Sequence, residues 1–450
     1  MSEELSGFAR LIREAGVVGA GGAGFPSYVK ASSKADTVIV NGAECEPLLQ
    51  KDHEVMARHT ETVLEGLALL MRSTGASRGV VAIKEKHPEL IADVEDAIKG
   101  RPGVEVKRLR DVYPAGDEYC LVYEVTGRLI PPGGIPIQVG VVVNNVETLY
   151  NMGRSDQSPV VDTWFTVAGA VKRTCTVKVP IGTSYAEALA LAGGATVPEF
   201  GALDGGAMMG KVLDSFARPA TKTSGGLIVL PKSHALLNRK GAERAQDERV
   251  GKSACDQCSL CTELCPRYLL GYDIQPHKVM RGLLFSQADR KTWNEWALLC
   301  CECQLCTLYS CPENLAPGKI CVSAKKDLGE KKIVWKNSAL NTGKTPKAHP
   351  IREYRLVPTK QLIARLGLAD YVADAPLLDG DYSPRMVRIP LKQHVGVPAT
   401  ALVKAGQKVR RGEKIGDVPA DQLGVPVHAS IDGVVAEVSD VVEIRREEKR

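Results

Sequence analysis

The cysteines constrain the fold of this chain more than any other residue type. Nine of its thirteen cysteines fall within the 57 residues from Cys255 to Cys311, and the other four are isolated. A disulfide framework spreads its cysteines through a small secreted chain, whereas dense clusters in a longer chain indicate metal binding in a reducing compartment. The first residues, Met1 to Arg13, carry acids and lack the apolar core of a secretory signal. We therefore expect metal-bound thiolates in a cytoplasmic protein.

The first cysteine run has the spacing C-x2-C-x2-C-x3-C-P of bacterial ferredoxins. Three thiolates on a tight loop can face three corners of one [4Fe–4S] cubane, while the fourth cysteine points away from it. Zinc is the alternative, but zinc ribbons use two separated C-x2-C pairs instead of one continuous run. The spacing predicts an iron–sulfur site.

The second run, from Cys300 to Cys311, has one extra residue before its last cysteine, and Cys301 is a surplus thiol. In two-cluster ferredoxins the fourth cysteine of each run binds the other cluster, so we predict two crossed ligand sets. The first set consists of Cys255, Cys258, Cys261 and Cys311. The second set consists of Cys300, Cys303, Cys306 and Cys265. The extra residue affects the assignment of Cys311 most. Cys321, which lies outside both runs, is expected to be a small buried residue.

Length and composition indicate several soluble domains. A chain of 450 residues is too long for one core. The net charge of +5 is small and the basic residues are scattered among acids, so nucleic acid is not an expected partner. No run of about 18 apolar residues is present, so no membrane span is predicted.

Hydrophobic periodicity divides the chain into five parts. Residues 1–165 alternate strand-like and helical runs, which predicts an α/β domain. Residues 166–245 predict a small α+β unit, 246–330 hold the cysteines, 331–384 form a basic connector, and 385–450 predict an all-β module. Ile135–Val143 is expected to be a buried strand. An amphipathic N-terminal helix is predicted from Leu5, Phe8, Leu11, Ile12 and Ala15.

A glycine-rich segment, Gly19–Pro26, follows the predicted N-terminal helix. Such a loop lets backbone N–H groups approach a phosphate closely. It is neither a G-x-G-x-x-G after a strand nor a P-loop. By its composition alone it is equally consistent with a tight turn.

The motifs GGAGFP, VNGAECEPLLQKD, YPAGDEY and VVVNNVETL resemble the flavin- and NADH-binding subunit of respiratory complex I, and still more the C subunit of Rnf ion-translocating complexes. The resemblance implies that FMN is held by Gly21, Gly22, Gly24, Lys30, Asn41, Gly116, Asp117, Asn144, Asn145 and Thr148. It implies that NADH contacts Phe25, Glu44, Glu46 and Glu118. Complex I usually has Asp where this chain has Ala43, which affects one hydrogen bond to the isoalloxazine ring.

The resemblance extends over nearly the whole chain. It implies a multidomain α/β protein with a Rossmann-like FMN and NADH domain, a β-grasp (SLBB) module, a helical ferredoxin-like domain with two [4Fe–4S] clusters, and an all-β barrel-sandwich hybrid. The hybrid resembles lipoyl domains, but its SIDG turn has no lysine to modify. In Rnf C subunits this module is N-terminal. Here it is C-terminal, as in the cobalamin reductases of propanediol-utilisation microcompartments.

The resemblance implies an electron relay in which FMN takes hydride from NADH and the clusters carry single electrons, so no catalytic side chain is expected. We expect an NADH-oxidising enzyme of a bacterial microcompartment, with a corrinoid as acceptor. The alternatives are an Rnf-type subunit, which would exchange electrons with ferredoxin, flavodoxin or membrane partners, and a passive iron–sulfur carrier. The microcompartment shell and a corrinoid adenosyltransferase are further candidate partners.

Iron and acid-labile sulfide analysis of anaerobically purified protein tests the cysteine assignment. Two cubanes require about eight iron and about eight sulfide per chain. Two zinc ions without sulfide would contradict the prediction.

Overall fold

The computed structural model describes residues 7–447, without the side chains of Gln287 and Ala288. The predicted N-terminal helix is α1 (Gly7–Glu14), and Leu5 of its stripe lies outside the described residues. Ile12 is fully buried, whereas Leu11 is 37% exposed. The helix therefore packs on the first domain, with a narrower apolar face than predicted. No helix in residues 7–447 is long and apolar enough to cross a membrane.

The first domain contains a four-stranded parallel sheet in the order β3-β2-β1-β5. Strands β1, β2 and β5 are rich in β-branched residues and nearly all buried, as in sheets covered on both faces, whereas the edge strand β3 is only partly buried. Val38 and Val40 face α1, α3, α4 and α6, whereas Ile39 faces α5 and the cysteine-bearing helices. The elements are α2 (Ser27–Ala31), β1 (Thr37–Gly42), α3 (Lys51–Thr74), β2 (Arg78–Lys84), α4 (Pro88–Ala97), β3 (Val104–Leu109), β4 (Val112–Tyr113), α5 (Glu118–Thr126), β5 (Val141–Asn145) and α6 (Val146–Gly153).

The strand predicted over Ile135–Val143 is wrong in its first half. Residues Pro136–Val139 form a 3-10 turn, Gly140 has a φ of +74°, and Ile135 is 60% exposed. Proline removes a ladder donor and a left-handed glycine ends the turn, so the strand begins only at Val141.

The second unit is a five-stranded sheet in the order β7-β6-β10-β8-β9, in which β10 is parallel to β6 and antiparallel to β8. Its helix α7 begins with a capping box, in which Ser184 and Glu187 bond each other's backbone amides. The elements are β6 (Asp162–Gly169), β7 (Cys175–Pro180), α7 (Tyr185–Leu191), β8 (Phe200–Asp204), β9 (Lys211–Val212) and β10 (Gly226–Pro231). The predicted boundary after residue 165 falls within β6, so we propose a boundary before Asp162 instead.

The cysteine-bearing part is helical, as predicted. The elements are α8 (Ala235–Gly241), α9 (Arg244–Ala254), α10 (Leu260–Glu263), α11 (Pro266–Leu269), α12 (Pro276–Gly282), α13 (Gln287–Asn294) and α14 (Pro317–Glu330).

The connector returns the chain to the first domain before the C-terminal module begins. Its strand β11 (Val357–Pro358) pairs with β4, and α15 (Thr359–Arg365) follows. The module then forms two small antiparallel sheets, β12-β18-β17-β14 and β13-β15-β16. Its strands are β12 (Met386–Pro390), β13 (Thr400–Ala401), β14 (Lys408–Val409), β15 (Lys414–Asp417), β16 (Val427–His428), β17 (Gly433–Val438) and β18 (Val441–Arg445). The other predicted boundaries, after residues 245, 330 and 384, remain proposals.

Candidate functional site

The predicted flavin residues converge at the carboxyl edge of the parallel sheet. β1 and β5 are neighbours, with Asn41 opposite Asn145 and Val40 opposite Asn144. Asn41 Nδ2 donates to the Gly116 carbonyl at 3.0 Å, which ties the loop before α5 to the same edge. Ligands of open α/β sheets bind outside the carboxyl ends of the strands, so this edge is the candidate site.

The glycine-rich loop is held against this edge by backbone contacts. The Ala20 amide donates to Thr148 Oγ1 at 2.9 Å, and Lys51 Nζ donates to the Ala20 carbonyl at 3.0 Å. Lys51 also pairs with Glu147 at 2.6 Å, and both side chains are buried. Burial raises the pKa of Glu147 to about 7, although the Lys51 charge opposes the shift. Removing either partner would leave an uncompensated buried group.

The three predicted glycines form a cradle that is open at Gly22 and packed against Thr223 at Gly24. A Cβ on Gly21 would lie 3.4 Å from the Asn145 side chain. Gly22 has a φ of +104° with open space beside its Cα, and Gly24 has a φ of +64°. Only glycine adopts such backbone conformations without strain, and backbone N–H groups in this arrangement can approach a phosphate.

Several buried polar atoms around the cradle have no hydrogen-bond partner among the described residues. They include Nδ2 of Asn144, Oδ1 of Asp52 and Oγ of Ser27. The other oxygen of Asp52 accepts a bond from Asn145 Nδ2 at 2.7 Å. Buried polar groups without partners are costly, so a ligand that supplies partners is favoured here. The cradle and these atoms fit FMN, which carries a phosphate and a hydrogen-bonding ring.

Two predicted NADH carboxylates are already engaged by the protein. Glu44 accepts bonds from two amides at the start of α3, at 2.8 and 3.0 Å. Burial, with the Asp52 charge second, raises the pKa of Glu44 to about 7. Glu46 accepts from the amides of Met208 and Met209 at 2.7 and 2.9 Å, and so ties the GGAMMG segment to the first domain. Contact of either carboxylate with NADH stays a prediction.

Asp117 joins the first domain to the cysteine-bearing helices. Its two oxygens accept from the Arg267 guanidinium at 2.7 and 3.0 Å, and both side chains are only 11% exposed. The Arg267 guanidinium also lies over the Tyr119 ring, 3.4 Å from its centroid. A bidentate pair of this kind fixes two elements in one orientation. The predicted contact of Asp117 with FMN is not tested by this arrangement.

Lys30 and Glu118 lie on the open side of the edge. Lys30 Nζ donates to the Val143 carbonyl at 2.7 Å and pairs with Glu118 at 3.4 Å. The Glu118 side chain is 45% exposed at the start of α5. Phe25 lies in the nearby loop, where its carbonyl accepts from the Gly19 amide at 2.9 Å. Contact of Lys30 with FMN, and of Phe25 and Glu118 with NADH, stays a prediction.

Within residues 7–447 no group of three or more Cys, His, Asp or Glu side chains is arranged to hold a metal ion, so the two crossed sets stay a prediction, although thiols within each set influence one another electrostatically. The thiols that interact electrostatically with Cys261 are those of Cys255, Cys258 and Cys311. Those that interact with Cys303 include Cys301, Cys306 and Cys265. Cys306 interacts with Cys261 as well, so the two sets adjoin.

The two runs share one backbone conformation, which identifies equivalent cysteines. The residues two and four positions after Cys255 have φ values of +61° and +64°, and those two and four positions after Cys300 have +62° and +59°. Left-handed residues between right-handed ones turn N–H groups inward, as in iron–sulfur sites. The Glu302 amide donates to Cys300 Sγ at 3.3 Å. Cys300 is therefore the counterpart of Cys255, and Cys301 is the additional thiol.

A π-helical turn absorbs the extra residue of the second run. Cys306–Ser310 form this turn, and Ser310 Oγ donates to the Leu305 carbonyl at 3.2 Å. A π-turn accommodates one inserted residue without ending a helix. Cys311 then has φ −76° and ψ 118°, nearly the φ −70° and ψ 121° of Cys265 in the first run. The irregular spacing therefore leaves Cys311 beside the first set.

The second set lies against the first domain, and the first set lies nearer the surface. Tyr113 OH donates to the Cys303 carbonyl at 2.8 Å. Cys265 shares an apolar cluster with Ile39 and Tyr119. Cys258, in contrast, is exposed. Residues of the second set therefore pack against the first domain, whereas Cys258 of the first set lies at the surface.

The isolated cysteines lie in environments that keep a thiol unreactive. Cys321 is fully buried in α14 beside Cys300, as predicted for a small core residue. Cys45 is half-buried as a residue, and desolvation raises the pKa of its thiol to about 11, so the thiol is protonated at neutral pH. Neither environment activates a nucleophile.

Sequence reasoning missed four charged residues that shape the site: Lys51, Asp52, Glu147 and Arg267. The first three lie inside the motifs QKD and NNVET, so their place in those motifs is the signal that the sequence offered. The structure shows that all three side chains are buried. Arg267 follows the Cys265-Pro266 pair, and nothing local in the sequence points to Asp117 as its partner.

Comparison with known proteins identifies the same four modules. The Nuo51 FMN-binding domain family matches residues 12–154, the SLBB domain 164–212, the 4Fe-4S dicluster domain 254–316, and the RnfC barrel sandwich hybrid domain 374–449. The fold and the site thus define a flavin- and iron–sulfur-dependent NADH oxidoreductase. The chain belongs to the cobalamin reductase family. It is 45% identical over 438 residues to cobalamin reductase PduS of Citrobacter freundii, covering 95% of this chain and 94% of that protein.

Two further comparisons are more distant. The C subunit of the proton-translocating ferredoxin:NAD(+) oxidoreductase complex of Clostridium ljungdahlii is 34% identical over 267 residues, covering 58% of this chain and 55% of that protein. A chain of the NAD+-reducing [NiFe]-hydrogenase, in its air-oxidised crystal structure, is 20% identical with a TM-score of 0.49, covering 81% of this chain and 66% of that chain.

Substitution of Cys265 tests the crossed sets. Because Cys265 lies beside Cys300 and Cys303, Cys265→Ala should damage the cluster of the second run more than that of the first. Electron paramagnetic resonance of the reduced protein would show which signal is lost, with Cys258→Ala as the reciprocal control. Selective loss of the first-run signal in Cys265→Ala would show that each run is self-contained.

Glu118→Gln should slow reduction of the flavin by NADH while FMN stays bound. The amide removes a charge and one acceptor at nearly constant volume, and a contact of this kind is worth roughly ten- to a hundredfold in rate. Anaerobic stopped-flow absorbance measures the rate, and Glu89→Gln on the exposed surface of α4 is the matched control. Unchanged kinetics would make Glu118 a surface residue, and loss of FMN would make it a flavin ligand.

Proposed function

We propose that this protein oxidises NADH and delivers the electrons to a corrinoid inside a bacterial microcompartment of the cytoplasm. The observation that carries the proposal is the 45% identity to a cobalamin reductase over nearly its full length, and the candidate flavin edge beside the cysteine-bearing helices supports it. The shell and a corrinoid adenosyltransferase are the partners that such a location would offer.

When bound, FMN supplies the exchange between two-electron hydride chemistry and single electrons, and [4Fe–4S] clusters supply one-electron carriers. The residues of the chain provide placement. The glycine cradle would hold the phosphate, and the paired asparagines at the ends of β1 and β5 would bond the flavin. Lys30 would hold FMN, and Glu118 would orient the dinucleotide. Electrons would leave through the cysteine-bearing helices, in which Cys258 is exposed.

An Rnf-type subunit is the second candidate. The 34% identity to a ferredoxin:NAD(+) oxidoreductase component supports it, but that similarity covers only 58% of this chain. The barrel-sandwich hybrid lies at residues 374–449, after the cysteines, whereas the resemblance places it ahead of the flavin domain in Rnf C subunits. Module order therefore favours the corrinoid proposal.

An anaerobic assay with NADH and a panel of acceptors distinguishes the candidates. We expect NADH to bleach the flavin band and cob(III)alamin or cob(II)alamin to be reduced over many turnovers. Flavodoxin and a redox dye complete the panel, and free FMN at the same concentration is the control for uncatalysed reduction. Rapid reduction of flavodoxin, with corrinoid reduced only at the control rate, would contradict the proposal and favour the Rnf-type function.

A further inference from the structure

A buried lysine of the β-grasp module lies beside Gly16, which precedes the glycine-rich loop. Lys222, in the loop before β10, is only 3% exposed. Its Nζ donates to the Gly16 carbonyl at 2.7 Å and to the Pro426 carbonyl at 3.1 Å. Gly16 has a φ of +72°, and a Cβ there would lie 2.5 Å from this nitrogen, so the approach requires glycine. One amine thus joins the residues that lead into the glycine-rich loop to the C-terminal module.

The other end of the loop is held by the same two modules. The Val395 amide donates to the Gly24 carbonyl at 2.9 Å. A Cβ on Gly24 would lie 3.0 Å from the Thr223 methyl group. Gln393 Oε1 accepts from the Lys222 amide at 3.1 Å, which links these contacts to each other. The shape of the loop therefore depends on residues more than 190 positions away in sequence.

The hydrogen bonds of the Lys222 ammonium group within residues 7–447 go to carbonyl oxygens. The acidic side chains facing the same junction, Glu14 and Asp417, pair with Lys414 at 2.6 and 3.0 Å. The remaining charged or titratable groups described around the junction are basic: Arg13 of α1, and Lys392, His394 and His428 of the C-terminal module. The environment supplies carbonyl acceptors without a counter-charge.

An ammonium buried in such surroundings is unfavourable. Burial lowers the pKa of Lys222 to about 7. The phosphate dianion of FMN, bound by the other side of the loop, would provide the missing negative charge. A charged Lys222 and a bound phosphate would then stabilise each other.

We propose that Lys222 is a positioning residue for FMN, which holds the glycine-rich loop in its phosphate-binding shape and complements the charge of the phosphate. This inference rests on the proposed FMN site. It gives the β-grasp and barrel-sandwich modules a part in flavin binding.

The test is FMN affinity of the full-length protein after removal of its flavin, measured by quenching of FMN fluorescence. Lys222→Met keeps an unbranched side chain but removes the charge and both bonds, and we expect the Kd to rise about ten- to a hundredfold. Arg13→Met is the matched control. Arg13 is also a buried cation that joins α1 to this module, through the Val418 carbonyl at 2.7 Å, but the bonds described for its side chain do not reach the glycine-rich loop.

We expect the Kd of Arg13→Met to stay within about threefold of the wild-type value, because a bond that shares no partner with the flavin site contributes little to FMN affinity. An unchanged Kd in Lys222→Met would overturn the proposal. Equal losses in both variants would also overturn it, because they would show a general loosening of the module.

The pH dependence of FMN affinity distinguishes a charged positioning residue from a purely structural lysine. Above pH 7 the flavin-free protein loses the Lys222 proton, whereas bound phosphate favours its retention, so FMN binding takes up a proton. Affinity should therefore fall from about pH 7 to about pH 9, by up to about tenfold per pH unit, and Lys222→Met should lose this slope. A wild-type affinity that is constant over this range, or the same slope in Lys222→Met, would overturn the proposal.

Gln393→Leu decides the matter if Lys222→Met does not fold, as judged by circular dichroism. This variant removes the acceptor of the Lys222 amide, and we expect a Kd about threefold higher or more. An unchanged Kd would overturn the proposal. A wild-type protein without measurable FMN affinity would instead contradict the proposed function itself, so the two failures are distinguishable.

Discussion

The parallel sheet of the first domain is covered on both faces. The positions of the helices of this domain and of the cysteine-bearing helices depend on this burial. One face packs against the long helices of its own domain, and Ile39 and its neighbours on the other face pack against α5 and the cysteine-bearing helices. A sheet without a polar face must be covered twice to be stable in water. The second cysteine set is therefore a structural cover of the flavin domain as well as a candidate cofactor site, and its distance from the flavin edge is fixed by core packing.

Buried charges hold the site together in two different ways. Lys51 with Glu147, and Arg267 with Asp117, are compensated pairs that orient the glycine loop and the cysteine-bearing helices. Such pairs specify geometry more than they add stability. Lys222 differs because carbonyl oxygens are its partners. A cation that is surrounded by carbonyl groups instead of carboxylates keeps its full attraction for an anionic ligand.

Much of this arrangement could be predicted from the sequence, and the remainder could not, for physical reasons. The spacing of Cys255 to Cys265 predicts a cluster loop because three thiolates must face one iron–sulfur cluster. The motif around Asn144 and Asn145 could also be found, because its residues lie together at the end of one strand. The engagement of Glu46 by the Met208 amide joins residues 162 positions apart, and no local pattern reports it. The strand predicted to begin at Ile135 is wrong in its first half. Pro136 and Gly140 favour a turn there, although the segment is apolar in composition. The π-turn after Cys306 explains why an irregular spacing preserves the cysteine positions.

The connector has a consequence for how the molecule behaves when its backbone is cut. Residues 331–347 carry exposed lysines, so this is where trypsin would cleave a native chain. Beyond that segment, His349 stacks on Tyr268, with ring centroids 4.7 Å apart, and β11 pairs with β4. The two fragments of a nicked chain would thus remain one particle, held together by these contacts of the C-terminal fragment with the N-terminal one, and would separate only when the core itself unfolds.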